Sequence, residues 1–199
     1  MILYRIIQYL TVSYMAIATR ERILEAAGRV LSASPNATVD AIAAEARVGR
    51  ATVFRHFGSR AGLLRALGRR AVGETDRATR EAVVRARTAT EALRLVTKAA
   101  VGAGESFRFL AAAPELYDAP ETVQAYERQL AELADLVEAS RREGFIRPDV
   151  PTAWAVACID GLIWAACRAV GSGAVGPVQA EDLVWDTVAG GLSAHPAGG

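Results

Sequence analysis

The residues with the clearest chemistry lie between positions 38 and 57. Apolar and small residues there predict two short helices, Val39–Ala46 and about Arg50–Phe57. A tight turn, Arg47–Gly49, separates them. Two short helices joined by a turn of about three to four residues form a helix-turn-helix, whose second helix enters the major groove of DNA.

The second helix of this motif carries side chains suited to reading base pairs. Arginine makes bidentate hydrogen bonds with guanine, and small side chains let a helix approach the base edges. The residues that the helix presents outward are Arg50, Ala51, Thr52, Phe54, Arg55 and His56. The apolar positions that its packing requires are also filled, by Ile42, Ala43, Ala46, Val48, Val53 and Phe57. We therefore expect double-stranded DNA as a partner.

The charge of the chain supports this expectation because it is unevenly distributed. The net charge is only +1, yet residues 19–73 hold ten arginines against four acidic residues. In residues 74–199 acidic residues outnumber basic ones, 18 to 12. A basic first third on an acidic body indicates a polyanion-binding head and a body that does not touch the polyanion.

Residues 19–70 resemble the DNA-binding domain of the TetR (tetracycline-repressor) family. The resemblance is carried by Thr19-Arg20, Ile23-Leu24, Ala26-Ala27, Thr38–Ala43, Val48–Phe57, Ser59-Arg60 and Leu63-Leu64. It covers about a quarter of the chain. The later helices are similar to the family's C-terminal domain only in number, length and character.

The resemblance implies a role for each matching position. Thr38 would donate a hydrogen bond to a phosphate, and Arg50 with Ala51 and Thr52 would approach the bases. Phe54 and His56 occupy positions that contact the DNA backbone. Arg60, where the family usually has lysine, would contact a phosphate beside a helix N-terminus, which favours anions.

Three positions depart from the family pattern. Arg47 stands where the family often has glycine, and a left-handed conformation costs a non-glycine residue about 1–2 kcal/mol, so this turn is either strained or differently shaped. Gly49 stands where serine or threonine is usual, so a side-chain contact with DNA is absent there. Phe54 replaces the usual tyrosine and lacks its hydroxyl donor.

The rest of the chain predicts further helices and no strand. The expected ranges are 63–87, 90–112, 121–142, 152–170 and 180–192. The fold class is therefore all-α, with an N-terminal three-helix helix-turn-helix domain and a C-terminal helical ligand-binding and dimerisation domain. We expect the first domain at residues 19–70, the second at 71–193, and a disordered tail at 194–199.

The first eighteen residues are apolar and end in small residues. Three interpretations fit them: a translation start at Met15 with the preceding residues an artefact of gene prediction, an N-terminal arm, or a secretory signal. We favour the start at Met15. We expect the first helix of the DNA-binding domain to begin at Thr19, as its N-cap.

The segment 153–170 is apolar on all sides, with only Asp160 and Arg168 charged. Such a helix needs burial on more than one side, which its own domain and a second subunit together provide. The interior of a monomer is the alternative. We expect a homodimer through the last two helices, and a two-fold protein on DNA reads half-sites about 34–36 Å apart.

A regulator of this type would hold a small molecule in its C-terminal domain. Ligand sites are apolar with few polar groups, and the candidates are Phe107, Phe109, Tyr117, Tyr126, Trp154, Asp160 and Trp164. Asp160 needs a partner in this apolar setting. A contact across the dimer and a cationic or hydroxyl-bearing ligand both remain open for it.

Other functions find little support in the sequence. The two histidines, His56 and His195, are far apart, so we expect no metal site, no catalytic triad and no cofactor. The GxGxxG match from Gly171 follows a helix rather than a strand, which argues against nucleotide binding. We interpret the acidic residues Glu132 and Asp135 as solvent-facing.

The sequence thus predicts a cytoplasmic transcriptional regulator, a ligand-released repressor acting on a pseudo-palindromic operator, and not an enzyme. No membrane association is expected. A ligand-independent dimeric DNA-binding protein and a helical enzyme are the alternatives.

Overall fold

The structure is a computed structural model that describes residues 2–34, 36–104 and 120–194, with the backbone alone for residues 2–16. Within these ranges the chain forms helices and no strand, as the sequence predicts. The helices are α1 (Ile2–Ala33), α2 (Val39–Glu45), α3 (Arg50–Phe57), α4 (Arg60–Arg85), α5 (Ala89–Ala103), α6 (Pro120–Arg142), α7 (Thr152–Gly171) and α8 (Pro177–Leu192).

The helix bounds agree with the sequence pattern except at the N-terminus. Helix α1 runs without a break from Ile2, so the prediction that a helix begins at Thr19 is wrong. The physical reason is that residues 2–27 contain neither proline nor glycine, and nothing interrupts the backbone hydrogen bonds there. The predicted end of α5 near residue 112 lies outside the described residues.

Contacts group the described residues up to Arg69 into one unit and those from Arg70 onward into another. The core of the first unit is formed by side chains from α1 to α4. Its largest fully buried side chains are those of Ile23, Leu24, Leu31, Ile42, Val53, Leu63 and Leu64. Of the packing positions predicted for the helix-turn-helix, Ile42, Ala43, Ala46 and Val53 are buried, and Val48 and Phe57 are half-buried.

The second unit packs α5, α6, α7 and α8 around a core of its own. The side chains at its centre include Leu93, Val137, Ile146, Ile159, Val184 and Val188. Phe145 stacks on Trp185 with ring centroids 5.4 Å apart, which holds the segment after α6 against α8. Backbone bonds from Arg147 to Leu192 and from Ala194 to Phe145 reinforce the same junction.

Polar contacts connect the helix ends of the second unit. The Glu143 carboxylate accepts hydrogen bonds from the backbone N–H groups of Ala89 and Thr90, at 2.7 and 2.8 Å, and from the Thr90 hydroxyl. These are donors that the first turn of α5 cannot satisfy within the helix. Thr88 caps the same helix by accepting from the N–H of Glu91.

Helix α7 is, within the described part of the chain, the one helix long and apolar enough to cross a bilayer, with a mean hydropathy of 1.5. Buried helices of soluble proteins have the same length and composition. Asp160 lies near the middle of this helix, where a bilayer would penalise its charge.

Candidate nucleic-acid interface and C-terminal cavity

Each helix of the helix-turn-helix begins at an N-cap residue, and a residue with positive φ lies in the turn between them. Thr38 caps α2, and its Oγ1 accepts a hydrogen bond from the N–H of Ala41 at 3.2 Å. Gly49 caps α3 without a side-chain bond. Arg47 in the turn has φ +53°, the left-handed conformation expected where the TetR pattern often has glycine.

Arg50, the first residue of α3, is held from two sides. Its Nη1 donates to Oδ2 of Asp40 on α2 at 2.8 Å. Its guanidinium carbon lies 5.3 Å from the centroid of the Phe54 ring, one helical turn further along. The Arg50 side chain is still 61% exposed, so a guanidinium of fixed position is presented to solvent at the N-terminus of α3.

The other predicted DNA contacts surround this arginine on α3. Ala51 and Arg55 are exposed, and Thr52, Phe54 and His56 are half-buried. Burial, Arg55 and Arg20 together lower the pKa of His56 below 6.5. Protonation of His56 is therefore less favourable than that of an ordinary histidine, whereas the arginines carry a permanent positive charge on this surface.

Arg60 has a structural contact that sequence reasoning missed. Its Nη1 donates to the backbone carbonyl of Ala37 at 2.5 Å, which connects the start of α4 to the residues before α2. Ser59 caps α4 by accepting from the N–H of Gly62. A phosphate contact by Arg60 remains a prediction.

The second unit contains a cavity of about 530 Å³ between α4, α5, α6 and α7. Its apolar walls include Val83, Val96, Leu130, Leu133, Leu136 and Ile163. Its charged lining consists of three carboxylates, Glu132, Asp135 and Asp160, and one guanidinium, Arg80. Glu132 and Asp135 are exposed, as predicted, but they also line this cavity.

Three threonines also line the cavity, and each of their hydroxyl groups already donates a hydrogen bond within the protein. The hydroxyls of Thr75, Thr79 and Thr97 each donate to a carbonyl on the preceding turn of their own helix. Carboxylates outnumber cationic side chains in the lining, three to one. This composition favours a positively charged ligand over an anion.

Asp160 has a partner within the chain. The hydroxyl of Tyr126 on α6 donates to Oδ2 of Asp160 on α7 at 2.5 Å. Burial and this bond raise the pKa of Tyr126 to about 12, and a hydrogen bond with Trp164 opposes the rise. The sequence left open a dimer contact or a ligand contact, and the structure shows an interhelical one.

Three of the predicted ligand residues, Tyr126, Asp160 and Trp164, line the cavity together. Trp154 lies outside this lining and is 63% exposed on α7. Phe107, Phe109 and Tyr117 lie outside the described residues. The contribution of α4 to the wall was missed, because its residues carry no aromatic or isolated charge that marks a pocket.

A polar bridge connects α4 to α6 beside the cavity. The Asp76 carboxylate accepts from Nη2 of Arg128 and from Nε2 of Gln129, each at 2.7 Å. The Asp76 side chain is only 20% exposed. Helix α6 therefore holds an aspartate of α4 through one pair of residues and an aspartate of α7 through Tyr126.

The family of the chain follows from comparison with known proteins. Residues 23–67, which contain the helix-turn-helix, match the family model described as bacterial regulatory proteins, tetR family. The transcriptional repressor LfrR of Mycolicibacterium smegmatis is 34% identical over 137 residues, which are 69% of this chain and 71% of LfrR. The chain belongs to the TetR family. Its members are transcriptional regulators and not enzymes.

Solved structures of TetR-family proteins share the fold. LfrR from Mycobacterium smegmatis in complex with proflavine has a TM-score of 0.71 at 29% identity, over 87% of this chain and 96% of LfrR. The ketosteroid regulator KstR2 of Mycobacterium tuberculosis has a TM-score of 0.76 at 20% identity, over 88% and 95% of the two chains. The second likeness supports the fold alone. TetR regulators are soluble DNA-binding proteins, which assigns α7 to a soluble fold.

Proposed function

We propose that the chain is a ligand-released transcriptional repressor that acts in the cytoplasm as a homodimer on a pseudo-palindromic operator. Residues 19–70 would bind DNA, and residues 71–193 would bind the ligand and dimerise. The observation that carries the proposal is the exposed, basic N-terminus of α3, where Asp40 and Phe54 hold the Arg50 guanidinium in place.

The proposed DNA contacts come from exposed and half-buried residues of the first unit. Arg50 is placed to read guanine, and Ala51 beside it leaves room for a base edge. Thr38, Thr52, Phe54, Arg55, His56 and Arg60 would contact the backbone or flanking bases. The excess of arginines in this unit supplies the electrostatic attraction to phosphates that underlies binding to DNA of any sequence.

A homodimer is supported by the apolar side chains that α7 and α8 expose. Trp154 is 63% exposed, Val178 72%, Leu183 48% and Trp164 36%. Several exposed large apolar side chains on two helices that contact each other are typical of a protein interface. Two copies would then place their α3 helices on half-sites about 34–36 Å apart.

A ligand in the cavity is supported by its volume, its lining and the relative LfrR. A space of about 530 Å³ with apolar walls falls within the range of small-molecule sites. The carboxylates favour a cation, and Tyr126 and Trp164 offer aromatic faces for a planar cation. Proflavine, which LfrR binds, has this chemistry, so we propose a planar aromatic cation as the ligand, with Asp160 as its counter-ion.

The test of DNA binding is fluorescence anisotropy with the full chain and duplexes that tile the DNA upstream of its own gene. We expect one tile to bind tightly, with affinity that falls steeply with salt. Arg50→Ala should weaken this complex by about 5–150-fold, since one base contact contributes about 1–3 kcal/mol. Arg77→Ala, which removes an exposed arginine of the second unit, is the matched control and should bind like the wild type.

Weak and uniform binding to every tile, unchanged by Arg50→Ala, contradicts the proposal. In that case the basic unit is only a charged surface.

The test of ligand release adds proflavine to the complex with the tight-binding tile. We expect the fluorescence of proflavine to be quenched on binding, and DNA affinity to fall by about 5–150-fold, the usual range of allosteric coupling. Asp160→Asn should weaken proflavine binding roughly tenfold through loss of a charge-assisted contact. DNA affinity without proflavine should not change in this variant. Release of DNA by proflavine at the same concentration in both proteins rules out Asp160 as the counter-ion.

A further inference from the structure

Asp40 is an unexpected residue on a surface that binds a polyanion. It lies in the first turn of α2, its side chain is 58% exposed, and it is one of only four acidic residues among the 55 residues 19–73. A carboxylate beside DNA phosphates weakens binding by like-charge repulsion. Helix stability explains part of its presence, because a negative charge favours a helix N-terminus. Its contact with Arg50 has a further consequence.

The contact leaves most of the Arg50 guanidinium available. A guanidinium has five N–H donors, and Asp40 takes one of them, on Nη1. The ring of Phe54 lies on another side and takes no N–H donor of conventional geometry. Donors on the remaining edge are enough for the bidentate pair that guanine O6 and N7 accept.

We propose that Asp40 is a positioning residue for sequence readout, which gives up affinity for DNA in general and gains discrimination for guanine opposite Arg50. The inference rests on the proposed function. An arginine side chain on a surface samples many rotamers, and ordering it on binding opposes the specific complex. Asp40 and Phe54 order the Arg50 side chain before DNA binds, so less side-chain entropy is lost when the specific complex forms. A complex that contacts only phosphates does not need this ordered conformation and gains no affinity from it.

The test compares Asp40→Asn with Glu45→Gln in the full-length protein. Glu45 is the matched control, because it is an acidic residue of the same helix whose partner is Arg29 rather than Arg50. Preferred duplexes are first selected by the wild type from a random-sequence pool. The guanine read by Arg50 is identified as the position at which Arg50→Ala loses preference. Dissociation constants are then measured for the selected duplex, for the duplex with that guanine replaced by adenine, and for random-sequence DNA.

We expect both variants to bind random-sequence DNA a few-fold more tightly, since each removes one negative charge. Only Asp40→Asn should lose discrimination between guanine and adenine, by about tenfold. In the Arg50→Ala background, Asp40→Asn should have no further effect on discrimination. If Asp40 only stabilises the fold, Asp40→Asn should change the melting temperature and should change all three dissociation constants by the same factor.

Unchanged discrimination in Asp40→Asn overturns the inference, and so does an equal loss in Glu45→Gln. Failure of the proposed function is a separate outcome. If the proposed function is wrong, the wild-type protein selects no preferred sequence from the pool in the first step.

Discussion

At the residue scale, Gly62 shows how closely the first unit is packed. It lies in the first turn of α4, and a Cβ built on it would meet the carbonyl oxygen of Phe57 at 2.0 Å, far inside van der Waals contact. That carbonyl is backbone at the C-terminus of α3, so it cannot rotate away. The start of α4 is therefore pressed against the C-terminal end of α3, and only glycine fits between them.

Gly62→Ala should destabilise the protein by about 2–3 kcal/mol, since steric conflict with backbone belongs to the severe class of substitutions. Gly73→Ala lies in the same helix, and no atom is within 4 Å of the position that its new methyl group would take. This second variant should instead be stabilised by up to about 1 kcal/mol. Urea unfolding of both variants measures the two changes. A neutral Gly62→Ala contradicts this close approach.

Residue identities also show where sequence reasoning succeeds. The turn at Arg47 was expected to be either strained or differently shaped, and the φ of +53° shows that Arg47 adopts the left-handed conformation. The buried residues Ile42 and Val53 were predicted because helix periodicity marks one face. The bond from Tyr126 to Asp160 could not be predicted, since it joins side chains 34 positions apart and depends on how α6 packs against α7.

At the element scale, the N-terminus of α5 depends on a residue distant in sequence. Glu143, after the end of α6, accepts three hydrogen bonds from Ala89 and Thr90. These bonds hold the pKa of Glu143 below its ordinary value of 4.5. A carboxyl group whose pKa is lowered by folding stabilises the fold above its unfolded-state pKa, and this contribution is lost as the pH falls through the folded-state pKa.

Glu143→Gln should therefore lower the melting temperature at pH 7, and the difference from the wild type should shrink as the pH falls below 4.5. Glu127→Gln removes an exposed carboxylate of α6 and should leave the melting temperature nearly unchanged at both pH values. Calorimetry at pH 7 and about pH 3.5 makes the comparison. A difference that is independent of pH argues against a role for the Glu143 charge.

Helix ranges were predictable to within a few residues because proline and glycine mark most of the boundaries. The beginning of α1 was not, since Thr19 has the side chain of an N-cap but no helix breaker precedes it. A capping residue indicates a helix start only where the preceding backbone leaves the helical conformation. The role of α4 in the cavity wall was missed for a related reason: side-chain type does not show which helix lies opposite.

At the scale of the whole molecule, the proposed dimer makes the exposed side chains of α7 and α8 an interface. Replacing Leu183 by glutamate places a charge in the centre of an apolar contact and should convert the dimer to a monomer. Val84→Glu is the control, because Val84 is 85% exposed on α4, outside the proposed interface. Sedimentation equilibrium distinguishes the two states, and a dimeric Leu183→Glu protein would falsify this interface.

Helix α6 contacts both α4 and α7 within a single helical turn. Tyr126 and Gln129 are three residues apart, so the groups that hold Asp160 and Asp76 lie about 4.5 Å apart along one helix axis. Because an α-helix is stiff over a single turn, a displacement of α6 at Tyr126 also displaces it at Gln129. We therefore propose that a shift of Tyr126 away from Asp160 also shifts Gln129 and its hydrogen bond with Asp76 on α4.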